Sequence, residues 1–426
     1  MKTIKPSKKI GALPPYMFTK INALKAEAAK GKLDIIDLGM GNHDMFTPQH
    51  IVDRLCDTLI NHPKTHKYPQ AKGMPRFRKA VADWMMKRFK VKFNPDNEIL
   101  ALVGSKEGVA HLSMSYLDPE DIALVCTPAY PVHFNGVYLA GATAYMMPLW
   151  EENQFLPDFS KIPAKVLKKA KLMFLNYPNN PTAAVVEGKK FLKEAVAFCK
   201  KHGILLVYDN AYSELYFGDY KAPSIFEIPG ARDVALEFHS FSKTFNMAGW
   251  RIGWVCGRKE LVAPLEKFKS FLDYGPPTFI QLAAAGALEG SQECVREQAK
   301  VYERRMKKVV HGLQKLGWDV KETKGTMYVW AKLPPVFKKK GSMWFTENLL
   351  KETGVVVSPG VGFGTAGEGY IRMSLVTHDN RFHDAMLRIR EFQNKYAPKK
   401  IEKTVKEIKA VKAKTTKAKP AKKVKK

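Results

Sequence analysis

Short apolar runs alternate along this chain with glycine turns and with stretches of helical spacing, and that pattern predicts most of its elements. An arm containing Leu13-Pro-Pro-Tyr16 is held extended by its prolines, and the segment after it, up to Lys30, has helical spacing. Ile35-Ile-Asp-Leu38 reads as a strand running into Gly39-Met-Gly-Asn-His-Asp44, where glycines let backbone approach a ligand closely. The segment opening at Tyr68 becomes a helix that reaches about Phe89. Ile99-Leu-Ala-Leu-Val103 followed by Gly104 and Ser105-Lys-Glu-Gly reads as strand, turn and helix. Ile204-Leu-Leu-Val-Tyr208 is a β-rich run ending in Asp209, and Val234–Phe238 reads as the buried end of a strand. Residues 277 to 317 are expected to form one long helical stretch with its charges outward. Met327-Tyr-Val-Trp-Ala-Lys-Leu333 then predicts a strand of a second, smaller domain. In Tyr370-Ile-Arg-Met-Ser-Leu375 the alternation points Arg372 to one side, where its fork suits a carboxylate.

The chemistry concentrates in Ser240-Phe-Ser-Lys-Thr-Phe-Asn-Met-Ala-Gly-Trp-Arg-Ile-Gly. Lys243 stands where strand gives way to turn, flanked by Phe241, Phe245 and Trp250, so its amine is expected in partly dry surroundings. Burial disfavours the ammonium form, and a lysine made partly neutral can form a Schiff base with a carbonyl cofactor. Ser240, Ser242 and Arg251 supply donors suited to a phosphate. Gly104, Ser105 and Lys106, at the start of a helix, would hold the same anion from a second side. Asp209, at the carboxyl end of a buried strand, stands where α/β sheets bind ligands.

The lysine stretch resembles the motif of the class I/II aminotransferases, the fold-type I pyridoxal 5'-phosphate enzymes, and the resemblance runs from about residue 10 to 396. It implies an α/β fold with a large, mostly parallel seven-stranded sheet domain and a smaller α+β domain. The expected division is an arm and part of the small domain over 1–48, the cofactor domain over 49–290, the small domain over 291–396 and a tail over 397–426. By resemblance Lys243 carries the cofactor and moves the proton, and Asp209 pairs with the pyridine nitrogen. Asn180, in Asn-Asn-Pro-Thr182, and Tyr212 reach the phenolic oxygen, and Tyr130 stacks on the ring. Gly41 and Arg372 take the substrate carboxylate, Tyr16 closes over the substrate, and Lys106 has a further task against the distal carboxylate of a dicarboxylic substrate. Tyr68, in Tyr-Pro-Gln-Ala-Lys-Gly, reaches the cofactor phosphate of a partner subunit, which implies a homodimer with shared sites. A plain turn tyrosine is the other reading of Tyr68.

Within that family the sequence is most similar to bacterial alanine (glutamate-pyruvate) aminotransferases, which implies exchange of an amino group between L-alanine and 2-oxoglutarate. Related enzymes with similar motifs use LL-diaminopimelate, methionine or aspartate. A β-elimination would need the same Lys243 and Asp209, and pyruvate release without an acceptor would distinguish it.

Composition changes this picture little. With 426 residues, 45% of them hydrophobic, the chain is long enough for two domains. It has no apolar run long enough to span a bilayer and no apolar stretch behind its basic start, so neither a membrane segment nor a signal peptide is expected. Five scattered cysteines without paired spacing read as reduced thiols in a cytoplasmic protein. The net charge of +29 is uneven, because the last 29 residues hold 13 Lys against 2 Glu. Such a segment cannot bury a core and can hold polyanions without sequence preference; a solvated extension with no dedicated partner is the other reading.

Overall fold

The structure, a computed structural model, describes residues 4–11, 13–14 and 17–396. The expected tail over 397–426 and Tyr16 lie outside the described residues.

Among the described residues twelve strands form three sheets. In chain order they are β1 Ile36–Asp37, β2 Ile99–Leu102, β3 Ile122–Thr127, β4 Thr143–Pro148, β5 Ala170–Asn176, β6 Leu205–Asp209, β7 Ala235–Ser240, β8 Gly253–Gly257, β9 Tyr328–Lys332, β10 Val355–Val356, β11 Ser358–Pro359 and β12 Tyr370–Ser374. The main sheet has the order β2-β8-β7-β6-β5-β3-β4. Strands β3 to β7 pair in parallel, while β8 runs antiparallel between β7 and β2. β5, β6 and β7 are buried almost throughout, the pattern of parallel strands covered on both faces by helices. The carboxyl ends of β5, β6 and β7, namely Asn176, Asp209 and Ser240, therefore meet at one edge. The reversed β8 brings Gly253, and with it Arg251, to the same edge beside Ser240 and Leu102.

A second core forms around β9, β11 and β12, which make an antiparallel sheet in the order β11-β12-β9, and around the parallel pair β1-β10. Tyr302, Met306, Val309, Val310 and Leu313 feed it from one face of the helix Glu293–Lys315, at the three- and four-residue spacing of an amphipathic helix. Leu38 extends the contact of β1, donating to Val356 and accepting from Ser374, so the chain before the main sheet is tied to the segment 355–374.

The long helix expected over 277–317 is two helices, Thr278–Glu289 and Glu293–Lys315. Gly290 ends the first, and the Gln292 side-chain amide donates to the carbonyls of Ala287 and Gly290. Carbonyls at the end of a helix need such outside donors, and this one lets the chain turn between the two helices.

Candidate active site

The Ser-x-Ser-Lys segment closes strand β7 with a single helical turn, Phe241–Thr244, capped by Ser240, whose Oγ accepts from the Ser242 N–H at 3.2 Å. Lys243 projects from this turn toward the strand ends. Its Nζ donates to the Gly41 carbonyl at 3.1 Å, and its own carbonyl accepts from Gln298 Nε2 at 2.7 Å. Burial, with the charges of Arg372 and Arg251, holds its amine below the usual lysine pKa; the nearby Tyr328 acts in the opposite sense. The source of the dry surroundings differs from the expectation. Phe241 and Phe245 stack on each other and pack into the core beneath the sheet, as does Trp250, and none of the three lines the cavity. What encloses the amine is Gly41, Tyr212, Tyr328 and Arg372, which come from other parts of the chain.

The cavity has a volume of about 200 Å³, and Lys106, Tyr130, Asn180, Asp209, Ser242 and Arg251 stand around it with Lys243. Asp209 is 6% exposed. Its Oδ2 lies 3.0 Å from His133 Nε2, whereas its Oδ1 is buried without a hydrogen-bond partner. A buried carboxylate oxygen left unmatched is costly unless a donor arrives. Asn180 donates to the Tyr212 hydroxyl at 3.2 Å and accepts from Arg372 Nη1 at 2.8 Å. Arg372, 2% exposed, also donates to the Gly39 carbonyl and lies over the Tyr328 ring, with Cζ 4.2 Å from its centroid.

At the other end, Gly104 caps the helix Ser105–Tyr116 with φ of +78°. A Cβ there would strike the Arg251 guanidinium, so only glycine lets the helix start so close to that cation. Ser105, Lys106, Ser240, Ser242 and Arg251 thus form a cationic, donor-rich cup at a helix N-terminus, where an anion is favoured. Burial and then Arg251 hold the Lys106 amine below its ordinary pKa, as expected where two cations crowd a site built for a negative charge. Gly41 has the same kind of requirement, since a Cβ on it would collide with the Tyr328 hydroxyl.

Tyr68 does not reach this cavity. It is 92% exposed and lies against Tyr274 on a separate stretch of surface. Several residues that local sequence reasoning passed over do contribute. His133 orients Asp209, and Asn176 accepts from the Asn180 N–H while donating to the Asp209 carbonyl. Tyr328 places its hydroxyl 3.3 Å from that of Tyr212. Burial would raise the Tyr328 phenol, but Arg372 and Lys243 outweigh it and hold the phenol below its usual range; the Tyr212 phenol is pushed well above it by burial and by Tyr328. His43 lies against Tyr302, with Nδ1 2.8 Å from its hydroxyl. Burial and then Lys243 push the His43 imidazole down to about 3, so it is neutral at ordinary pH. The one local signal for any of these was His133, three residues beyond Tyr130 in the first turn of the helix Val132–Ala140.

A reactive lysine, a carboxylate with an unmatched oxygen and a phosphate-type cup at the ends of a mostly parallel sheet fit pyridoxal phosphate, and fold and site together define a fold-type I pyridoxal phosphate enzyme. The family model for aminotransferase class I and II matches residues 33–387. The chain is 46% identical to an LL-diaminopimelate aminotransferase of Dehalococcoides mccartyi, over 92% of this chain and all of that protein. It is 44% identical to the glutamate-pyruvate aminotransferase AlaC of Escherichia coli, over 89% of this chain and 91% of that one. The substrate-bound structure of BacF from Bacillus subtilis superposes with a TM-score of 0.87 at 39% identity, covering 92% of this chain and 98% of that chain. The chain belongs to the class I and II aminotransferases, and it is a pyridoxal phosphate-dependent aminotransferase acting on amino and oxo acids.

Proposed function

We propose that this enzyme takes its amino group from LL-diaminopimelate and passes it to 2-oxoglutarate. The observation that carries the chemistry is the convergence of Lys243, Asp209 and Arg372 on one cavity, drawn from three separate parts of the chain. Support for the donor comes from its relatives, several of which are named LL-diaminopimelate aminotransferases at 44 to 46% identity. Charge supports the acceptor. Lys106 lines the cavity as a cation separate from Arg372 and offers a counter-charge to a second carboxylate. 2-Oxoglutarate carries one in either reading, so this cation supports a dicarboxylic acceptor and does not choose the donor. Exchange between alanine and 2-oxoglutarate, the reading the sequence first suggested, stays as the second reading because of the likeness to AlaC.

Pyridoxal phosphate, when bound, supplies the electron sink that lets the bond between Cα and hydrogen of an amino acid ionise. The unmatched Asp209 Oδ1 would pair with the pyridine nitrogen and favour its protonated form. Asn180 and Tyr212 would donate toward the phenolic oxygen, Tyr130 would pack on the ring, and the cup of Gly104, Ser105, Lys106, Ser240, Ser242 and Arg251 would take the phosphate. Arg372 and the Gly41 backbone hold the substrate α-carboxylate, and the Lys243 amine, held partly neutral, carries the proton. Tyr16 closes over the substrate, and the exposed Tyr68 completes the phosphate site of a second copy. In this reading the cofactor domain spans 49–290 and the small domain 291–396, and the cationic tail contacts polyanions.

The test is a rapid-mixing measurement of the cofactor's visible absorbance against LL-diaminopimelate, L-alanine, L-glutamate, L-methionine and L-aspartate in turn. Conversion is expected to be fastest with LL-diaminopimelate and L-glutamate. Fast conversion by alanine with none by LL-diaminopimelate would replace the donor by alanine.

A further inference from the structure

A second hollow, of about 530 Å³, lies apart from the cofactor cavity. It is bounded by the end of the helix Pro75–Phe89, by the segment after Tyr212 and by the first turns of the helix Glu293–Lys315. Trp84, Tyr216, Val295 and Ala299 give it an apolar lining. Five cations, Lys87, Arg88, Lys221, Arg296 and Lys300, share it with only two acids, Glu214 and Glu303.

Both acids are already engaged. Glu214 pairs with Arg88 at 3.0 Å, and Glu303 pairs with Lys307 at 2.7 Å. Arg88 is committed to the fold, since it also donates to the Ala222 carbonyl and lies over the Phe89 ring. Lys87, Lys221, Arg296 and Lys300 have no ion pair with another described residue. Four uncompensated cations therefore face one concavity. Like charges gathered over a low-dielectric wall repel one another and focus a positive potential into the space they enclose, which a multivalent anion relieves. The volume falls in the range of small-molecule sites, and the apolar lining offers a surface for an organic group beside the charges.

We propose that this hollow is a binding site for a nucleoside polyphosphate, its phosphates held by Lys87, Lys221, Arg296 and Lys300 and its base lying against Tyr216. The proposal does not rest on the choice of amino donor.

The test is calorimetric titration of the full-length holoenzyme with ATP and, separately, with inorganic pyrophosphate. The parent protein is compared with a Lys221→Glu/Arg296→Glu variant and a charge-neutralised Lys87→Gln/Lys300→Gln variant. One saturating ATP site per chain is expected, weakened at least tenfold in each variant while the cofactor spectrum and basal transamination are unchanged. All three proteins keep the lysine-rich C-terminal segment, so a loss cannot be ascribed to that segment. ATP binding tighter than pyrophosphate supports the site and assigns the apolar lining a share. Equal binding of the two probes overturns the nucleoside part, and no saturation, or affinity undiminished in both variants, overturns the site itself.

Discussion

Replacing Asp209 by Asn tests the central electrostatic feature of the site. The substitution nearly preserves shape but removes the charge from a side chain that is 6% exposed. Two unit charges about 3 Å apart at an effective dielectric near 20 interact by roughly 5 kcal/mol, equivalent to about 4 units in the pKa of the partner. His133, 3.0 Å from the other carboxylate oxygen, takes part of that field, and relaxation takes more. About 3 to 4 kcal/mol is then the share lost to a protonated pyridine nitrogen, which corresponds to a fall of roughly 10² to 10³ in the rate of proton removal. The assay is the single-turnover absorbance change with saturating amino donor, together with cofactor retention on dialysis. The cup around Ser105, Ser240 and Arg251 is untouched, so the protein should still bind cofactor, though more weakly. A rate within threefold of the parent, with cofactor bound, would refute the role assigned to the unmatched oxygen of Asp209.

Three further outcomes are expected. Tyr328→Phe removes a group that raises the Lys243 pKa while Arg372 and Arg251, which lower it, remain, so the amine loses its proton at lower pH. The pH profile of cofactor recombination with the apoenzyme should shift its acid limb downward, and an upward shift would contradict the sign. Mixing Tyr68→Ala with Lys243→Ala chains should restore about a quarter of parental activity if the sites are shared between two copies, whereas the separate variants are nearly inactive; no recovery after verified exchange of subunits would sink the shared site. Lys269 is fully buried and pairs with Glu107 at 3.0 Å and Asp273 at 2.9 Å. Lys269→Met leaves the two carboxylates with only His111 and a backbone N–H each among the described residues and should cost about 3 kcal/mol, read as a lowered midpoint in denaturant melts.

The sequence was informative where chemistry is local. Ser240, Ser242 and Lys243 share one turn, and Gly104 to Lys106 share one helix start, so their spacing alone placed them together. Asp209 was legible because a β-rich run ending in a carboxylate puts that group at a strand end whatever the neighbouring strands are. The aromatic residues around Lys243 misled for the same reason. Proximity in sequence said nothing about which side of the sheet they face, and Phe241 and Phe245 face the core. The helix over 277–317 is too long in the sequence reading because Gly290, a local break signal, was passed over; it ends the first helix, and Gln292 then reaches back to two carbonyls.

The sequence by itself determined the class of chemistry and the strand ends that carry it. Its hydrophobic periods and turn residues act over a few positions, and the lysine motif is contiguous. Only the tertiary structure decided what surrounds those groups. Sheet order brings Asn176, Asp209 and Ser240 to one edge, and the reversal of β8 delivers Arg251 to it. Tyr328 and Arg372 arrive from a separate core, and His133 meets Asp209 across 76 positions of chain. Contacts of that range are selected by packing and strand pairing, so no local pattern records them.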